Sequence, residues 1–126
     1  MKEKGAHTFL KTAIPGLFGI GFLSRHKEIV DLLVEDARAF TLQSLTWYYN
    51  AMMLRPDRRL QLINAKVPVL IVAGTEDKAA PLEDVLEQAS LPPECHFHIL
   101  QETGHMGMLE APDNLSIILL NFIASV

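Results

Sequence analysis

Two short stretches of this 126-residue sequence carry side chains able to move a proton. Gly74-Thr75-Glu76-Asp77 follows one apolar run, and Glu102-Thr103-Gly104-His105 follows another. An imidazole exchanges its proton near neutral pH, and a histidine just past a buried strand is held in place by the fold. A carboxylate beside it would fix its tautomer and stabilise the imidazolium that forms when the ring takes a proton. Taken singly, Asp77 reads as the cap of the next helix and His105 as a satisfied loop histidine. Taken together, with a glycine in each stretch, they read as an acid orienting a general base. A general base needs a nucleophile to activate.

For the two stretches to meet, the runs before them must be neighbouring parallel strands, since functional groups in such units gather at the carboxyl ends of the strands. Val67 to Ala73 is a continuous apolar run, the pattern of a strand buried on both faces, and Gly74 stops it. Leu82 to Ala89 reads as a short helix, Leu91-Pro92-Pro93 as a breaker and His96 to Leu100 as a second strand. After Pro112, the positions Leu115, Ile118, Leu119, Phe122 and Ile123 form a wide apolar face on a closing helix. The order predicts a right-handed βαβ unit with one additional helix.

The chain before Val67 has a different period. Residues 3 to 12 read as a weak helix that Ile14-Pro15-Gly16 breaks. From Ser24 as N-cap, Ile29, Leu32, Leu33 and Ala37 have helical spacing. Thr41 caps a second helix in which Leu45, Tyr48, Tyr49, Met52 and Met53 recur at steps of three and four. Pro56 suits the first turn of a third, with Leu60 and Ile63 on its apolar side. Neither an internal repeat nor a low-complexity segment interrupts the two halves.

Composition excludes several function classes. With 49% hydrophobic and 21% charged residues the chain reads as one soluble globular unit. A net charge of -4, with no Lys/Arg run longer than a pair, provides no electrostatic footprint for nucleic acid or an anionic membrane. The single cysteine, Cys95, cannot form an internal disulfide, so a cytoplasmic setting is expected. Lys2 and Lys4 precede an apolar stretch, Ala13 to Leu23, resembling the start of a signal peptide. Pro15 and three glycines interrupt it, and no small-residue cleavage site follows, which argues against secretion. Other apolar stretches are too short to span a bilayer.

Four further features are weighed and set lower. His96 and His98 share one face of a strand at a spacing that suits a metal, but a third ligand is missing nearby, so they read as a polar face. Cys95 and His96 point to opposite faces and cannot form a thiol–imidazole pair. Leu17-Phe18, Trp47, Tyr48 and Met52-Met53 could line an apolar acyl pocket, and read mostly as ordinary core. A Gly-rich phosphate loop is absent, which argues against nucleotide binding.

The stretches "VPVLIVAGTEDKAAP" and "HILQETGHMGMLEAP" closely resemble the C-terminal part of an α/β-hydrolase, the family of esterases, lipases, peptidases and dehalogenases. The matching positions are Gly74, Asp77, Pro81, Gly104, His105, and Glu110 and Pro112 at the opening of the last helix. The helical first half, with "AMMLRPDR" at Ala51 to Arg58, resembles the cap that family members insert before this strand. The resemblance implies a partial α/β-hydrolase fold, with a helical cap over residues 1–65 and, over 66–126, a β-α-β-α unit with two parallel strands. It implies Asp77 as triad acid, with Glu76 a weaker candidate, and His105 as base. It also implies a small apolar ester or related acyl or carbon–carbon substrate, and no cofactor.

The departure from the family is the nucleophile. G-x-S-x-G, the strained turn that exposes the serine, occurs nowhere, and none of Ser24, Ser44, Ser90, Ser116 and Ser125 sits between glycines after a strand. In these enzymes the serine precedes the acid and the histidine, so the sequence is expected to begin near the cap, with the nucleophile outside it and the isolated chain inactive. A two-stranded parallel sheet is also too small to be stable alone, and its edge invites pairing. The rest of a longer chain is expected to cover it in the natural product, and a second copy, as a homodimer, in the isolated chain. The alternative is a non-catalytic dimerising module with a relic hydrolase site.

Overall fold

From Val69 to Ala73 every side chain is aliphatic and two are valine, a run that suits the pleated strand. The computed structural model describes residues 5–126. It therefore leaves outside the described residues both Lys2 and Lys4 of the signal-like pattern and the first two positions of the expected first helix.

Strands β1 (Val69–Gly74) and β2 (Cys95–Leu100) pair in parallel, with Val69 opposite Cys95 and Gly74 opposite Leu100. Helix α6 (Leu82–Ala89) connects them over the predicted residues. A single turn, α7 (Gly107–Glu110), follows β2, and α8 (Pro112–Ser125) closes the unit with proline in its first turn. Glu110 thus ends a separate turn and does not open the last helix. The Phe122 ring of α8 meets His96 of β2 edge-on at 5.2 Å. Among the described residues no helix is long and apolar enough to cross a membrane.

The first half is helical: α1 (Gly5–Ala13), a 3-10 turn at Pro15–Leu17, α2 (Ile20–Arg25), α3 (Lys27–Asp36), α4 (Leu42–Met53) and α5 (Arg59–Ile63). Thr41 caps α4 as expected. Its Oγ1 accepts the Ser44 N–H at 3.0 Å, and Ser44 Oγ accepts the Thr41 N–H at 3.1 Å, a reciprocal box with serine in the usual place of glutamate. Phe18, Phe22 and Val30 form the buried cluster, the two rings stacked at 5.2 Å. Met106, beside His105, packs against the same cluster and ties the helical half to the strand-end loop.

Several expectations need correction. Ser24 lies inside α2, and α3 begins after His26, whose N–H closes α2 onto Phe22 O. In α3 Val30 joins the phenylalanine cluster, Leu33 packs against it and Val34 is also buried, while Ile29 and Leu32 of the expected set are exposed; Ala37, just past the helix, is buried as expected. Pro56 stops short of α5; the Asp57 carboxylate instead receives the Arg59 N–H at 2.9 Å. Leu60 and Ile63 are exposed, as are Trp47, Tyr48, Met52 and Met53, which are therefore not core of this unit. In β1 only Ala73 and Gly74 are buried and Val69 to Val72 are half-buried, so the strand with the fully buried pattern is only partly covered on most of its length.

Candidate active site

The carboxyl ends of β1 and β2 are stitched together by backbone. Thr75 N–H donates to Leu100 O at 3.0 Å and Glu76 N–H to Thr103 O at 2.9 Å. Glu102 takes the left-handed region, φ 51°, which non-glycine residues rarely adopt, and its N–H is held by Thr75 Oγ1 at 2.9 Å. Thr103 is buried, and its hydroxyl donates to Gln101 O at 2.9 Å. Gly104 then passes so close to the 3-10 turn that a Cβ there would stand 2.6 Å from Leu17 O, a distance only glycine avoids.

This stitching brings together the two residues singled out by type and spacing. Asp77 Oδ2 lies 2.8 Å from His105 Nδ1. A carboxylate only accepts, so Nδ1 carries the proton and Nε2 is left as the basic nitrogen. The other oxygen, Oδ1, accepts the N–H groups of Ala79 at 2.8 Å and Ala80 at 2.9 Å. Burial works to raise the Asp77 pKa, but the bonds from Ala80, His105 and Ala79 outweigh it and hold the carboxyl below its ordinary value of 3.8. One oxygen thus holds the turn that follows and the other orients the ring. The expectation that Asp77, taken singly, caps the next helix is not met, since α6 starts after Pro81 with no side-chain cap.

The Asp77 side chain is 9% exposed and that of His105 is 46% exposed, so the pair has a sheltered acid and an accessible base. Among the described residues, no hydrogen bond engages His105 Nε2 and no serine bonds to the ring. Ser24, Ser125 and Ser90, the last just past α6, donate to carbonyls three residues back, and Ser44 serves the α4 cap. A cavity of about 250 Å³ lined by Val72, Val85, Leu100, Met108 and Leu115 reaches the Asp77–His105 pair. A larger open groove, about 780 Å³, runs between Arg55–Leu62 and Asp84–Gln88 and contains no residue of the pair. Its Arg59 is bound to Asp57 at 2.7 Å.

Glu76, the second candidate for the acid, turns away: its Oε2 accepts the Ile20 N–H at 2.6 Å. His96 lies 3.4 Å from Glu94, and no group of three metal-binding side chains exists among the described residues. Cys95 is a free, half-buried thiol. In the sequence Glu110 stands only as a motif position. Its carboxylate receives the N–H groups of Gly19, Gly104 and Met106 at 2.8 to 3.2 Å. The signal for it was present in the sequence, a lone carboxylate in the uncharged stretch after His105.

No protein-family model matches the chain. It is 20% identical to a 2-hydroxy-6-oxononadienedioate/2-hydroxy-6-oxononatrienedioate hydrolase of Pseudomonas sp, over 88% of this chain and 45% of that protein. Its structure superposes on a thermophilic esterase from Thermogutta terrifontis with TM-score 0.87 and 19% identity, covering 98% of this chain and 46% of that one. The enol-lactonase from Burkholderia xenovorans LB400 gives TM-score 0.82 and 20% identity over 98% and 46% of the two chains. The chain thus spans a little under half the length of the curated relatives it matches. Its fold is thus that of one part of an α/β-hydrolase.

Proposed function

We propose that the chain is the cap and C-terminal half of a serine-type α/β-hydrolase, with residues 1–65 as cap and 66–126 as the part of the core that bears the acid and the base. The observation that carries this reading is the 2.8 Å Asp77–His105 bond, which leaves an accessible Nε2. Nε2 takes the proton of a serine hydroxyl as that oxygen attacks an ester carbonyl. Asp77 stabilises the imidazolium, which then protonates the departing alcohol. Water, deprotonated by the same nitrogen, releases the acid and regenerates the serine. The serine lies outside residues 1–126, so the isolated chain is inactive.

The substrate class is a small, largely apolar ester or lactone, in keeping with the esterase, lactonase and hydrolase to which the chain is similar. Related acyl or carbon–carbon substrates suit the same pair. The chemistry needs no cofactor, nucleic acid or membrane, and the cytoplasm suits a chain with one free thiol. A second reading, a non-catalytic homodimer with a relic site, draws on the exposed apolar side chains Ile117, Leu120 and Ile123 of α8 and on Trp47 and Met53 of α4.

Capture of the tagged chain from its own cells, followed by a fluorophosphonate that labels activated serines, separates the two readings. The hydrolase reading expects label on a serine outside residues 1–126 and none on the recombinant chain alone. An unlabelled native complex containing only two copies of the 14.1 kDa chain supports the second reading and overturns the first.

A further inference from the structure

We infer that Glu110 and Glu76 are positioning residues: together they fasten the Ile14–Gly19 loop onto the strand-end loop and so fix the backbone from which the His105 imidazole meets Asp77. The inference rests on reading His105 as the general base, and it assigns residues that the triad itself does not name.

Three consecutive amides surround the base, and all three are held. Gly104 N–H lies 3.0 Å from each Glu110 oxygen, His105 N–H donates to Leu17 O at 2.7 Å, and Met106 N–H donates to Glu110 Oε1 at 3.2 Å. The acceptor for the middle amide belongs to a segment remote in sequence, and that segment is itself gripped by two carboxylates. Gly19 N–H donates to Glu110 Oε2 at 2.8 Å, across 91 residues, and Ile20 N–H to Glu76 Oε2 at 2.6 Å, across 56. Hydrogen bonds to a charged acceptor are about twice as strong as neutral ones. One carboxylate, Glu110, therefore joins both sides of the seam, and Glu76 adds a second hold one residue further along.

The seam has no room for side chains. A Cβ at Gly19 would stand 2.8 Å from Glu102 O and 2.9 Å from Glu76 Oε2, and a Cβ at Gly104 would stand 2.7 Å from Gly19 N. Phe18, between the held residues, is anchored in the buried cluster. The β1–β2 ladder does not depend on any of these bonds. Loosening the seam therefore frees His105 before it frees the strands.

Glu110→Gln preserves size but places an amide NH2 against backbone N–H donors. The test is amide hydrogen exchange and side-chain nitrogen spectra of the full 126-residue chain. The expected result is a rise of about tenfold or more in exchange at the His105 amide. The paired-strand amides keep their protection, and the ring loses its single Nδ1–H tautomer. Glu76→Ala is the second variant, because its partner bond is exposed and water can replace it; a smaller rise at His105 is expected, and this variant decides the question if Glu110→Gln does not fold. An equal rise at His105 and in the strands, or no change at His105 in the folded variants, overturns the inference. Asp77→Asn is the control for the underlying reading: an unaltered ring tautomer there removes the acid–base pair, whereas the His105 amide reports on the seam alone.

Discussion

Asp77 is asked to stay ionised while sheltered from solvent, and it does so because its two oxygens receive three hydrogen bonds. The pKa lies below the ordinary 3.8, so between the folded value and 3.8 the unfolded chain binds more protons than the folded one. The stabilising contribution is complete above 3.8 and is lost as pH falls through the folded value. Urea unfolding across the acid range is thus expected to show stability falling with pH, and Asp77→Asn to flatten that part of the curve; an unchanged slope would mean the bonds are not formed in solution. At this scale much was legible in the sequence. Asp77 and His105 stand out by type and by their places after two apolar runs, and the carboxylate that bonds the ring is that of Asp77, while Glu76 accepts the Ile20 N–H. The role of Glu110 is not legible, because its three donors are backbone groups brought together by tertiary structure; the sequence shows a lone carboxylate but not where its partners come from.

At the scale of elements, local chemistry was legible wherever one residue decides a boundary. Helix α6 spans the predicted Leu82–Ala89, and Pro112 opens α8. Thr41 caps α4, and its loss removes the side-chain acceptor of the Ser44 N–H. Thr41→Ala is expected to cost about 1 kcal/mol in chemical denaturation, with Thr41→Ser near neutral; equal costs for the two would contradict the capping role. What failed was phase. Helix α3 has two apolar stripes of the same period, and the position of Phe18 and Phe22 selects Val30 over Ile29 and Leu32. Pro56 misled for a similar reason: a proline that fits a first turn also fits the extended approach to one, and the Asp57 carboxylate settles which.

For the molecule as a whole, the apolar pattern of β1 and its incomplete burial report the same thing from two sides. Its aliphatic run is that of a strand flanked on both faces, yet only its last two residues are buried. Ile117, Leu120 and Ile123 of α8 are exposed as well, and the solved structures that match this chain are about twice its length. The proposed serine-bearing half would account for both the missing cover and the missing nucleophile. The central claim is tested most directly by steady-state ester hydrolysis by the complex captured from native cells, comparing the natural chain with His105→Ala. The account predicts a fall in kcat of about 10²- to 10⁴-fold with little change in KM, the loss expected when a general base is removed. An unchanged kcat in a folded His105→Ala complex would contradict it.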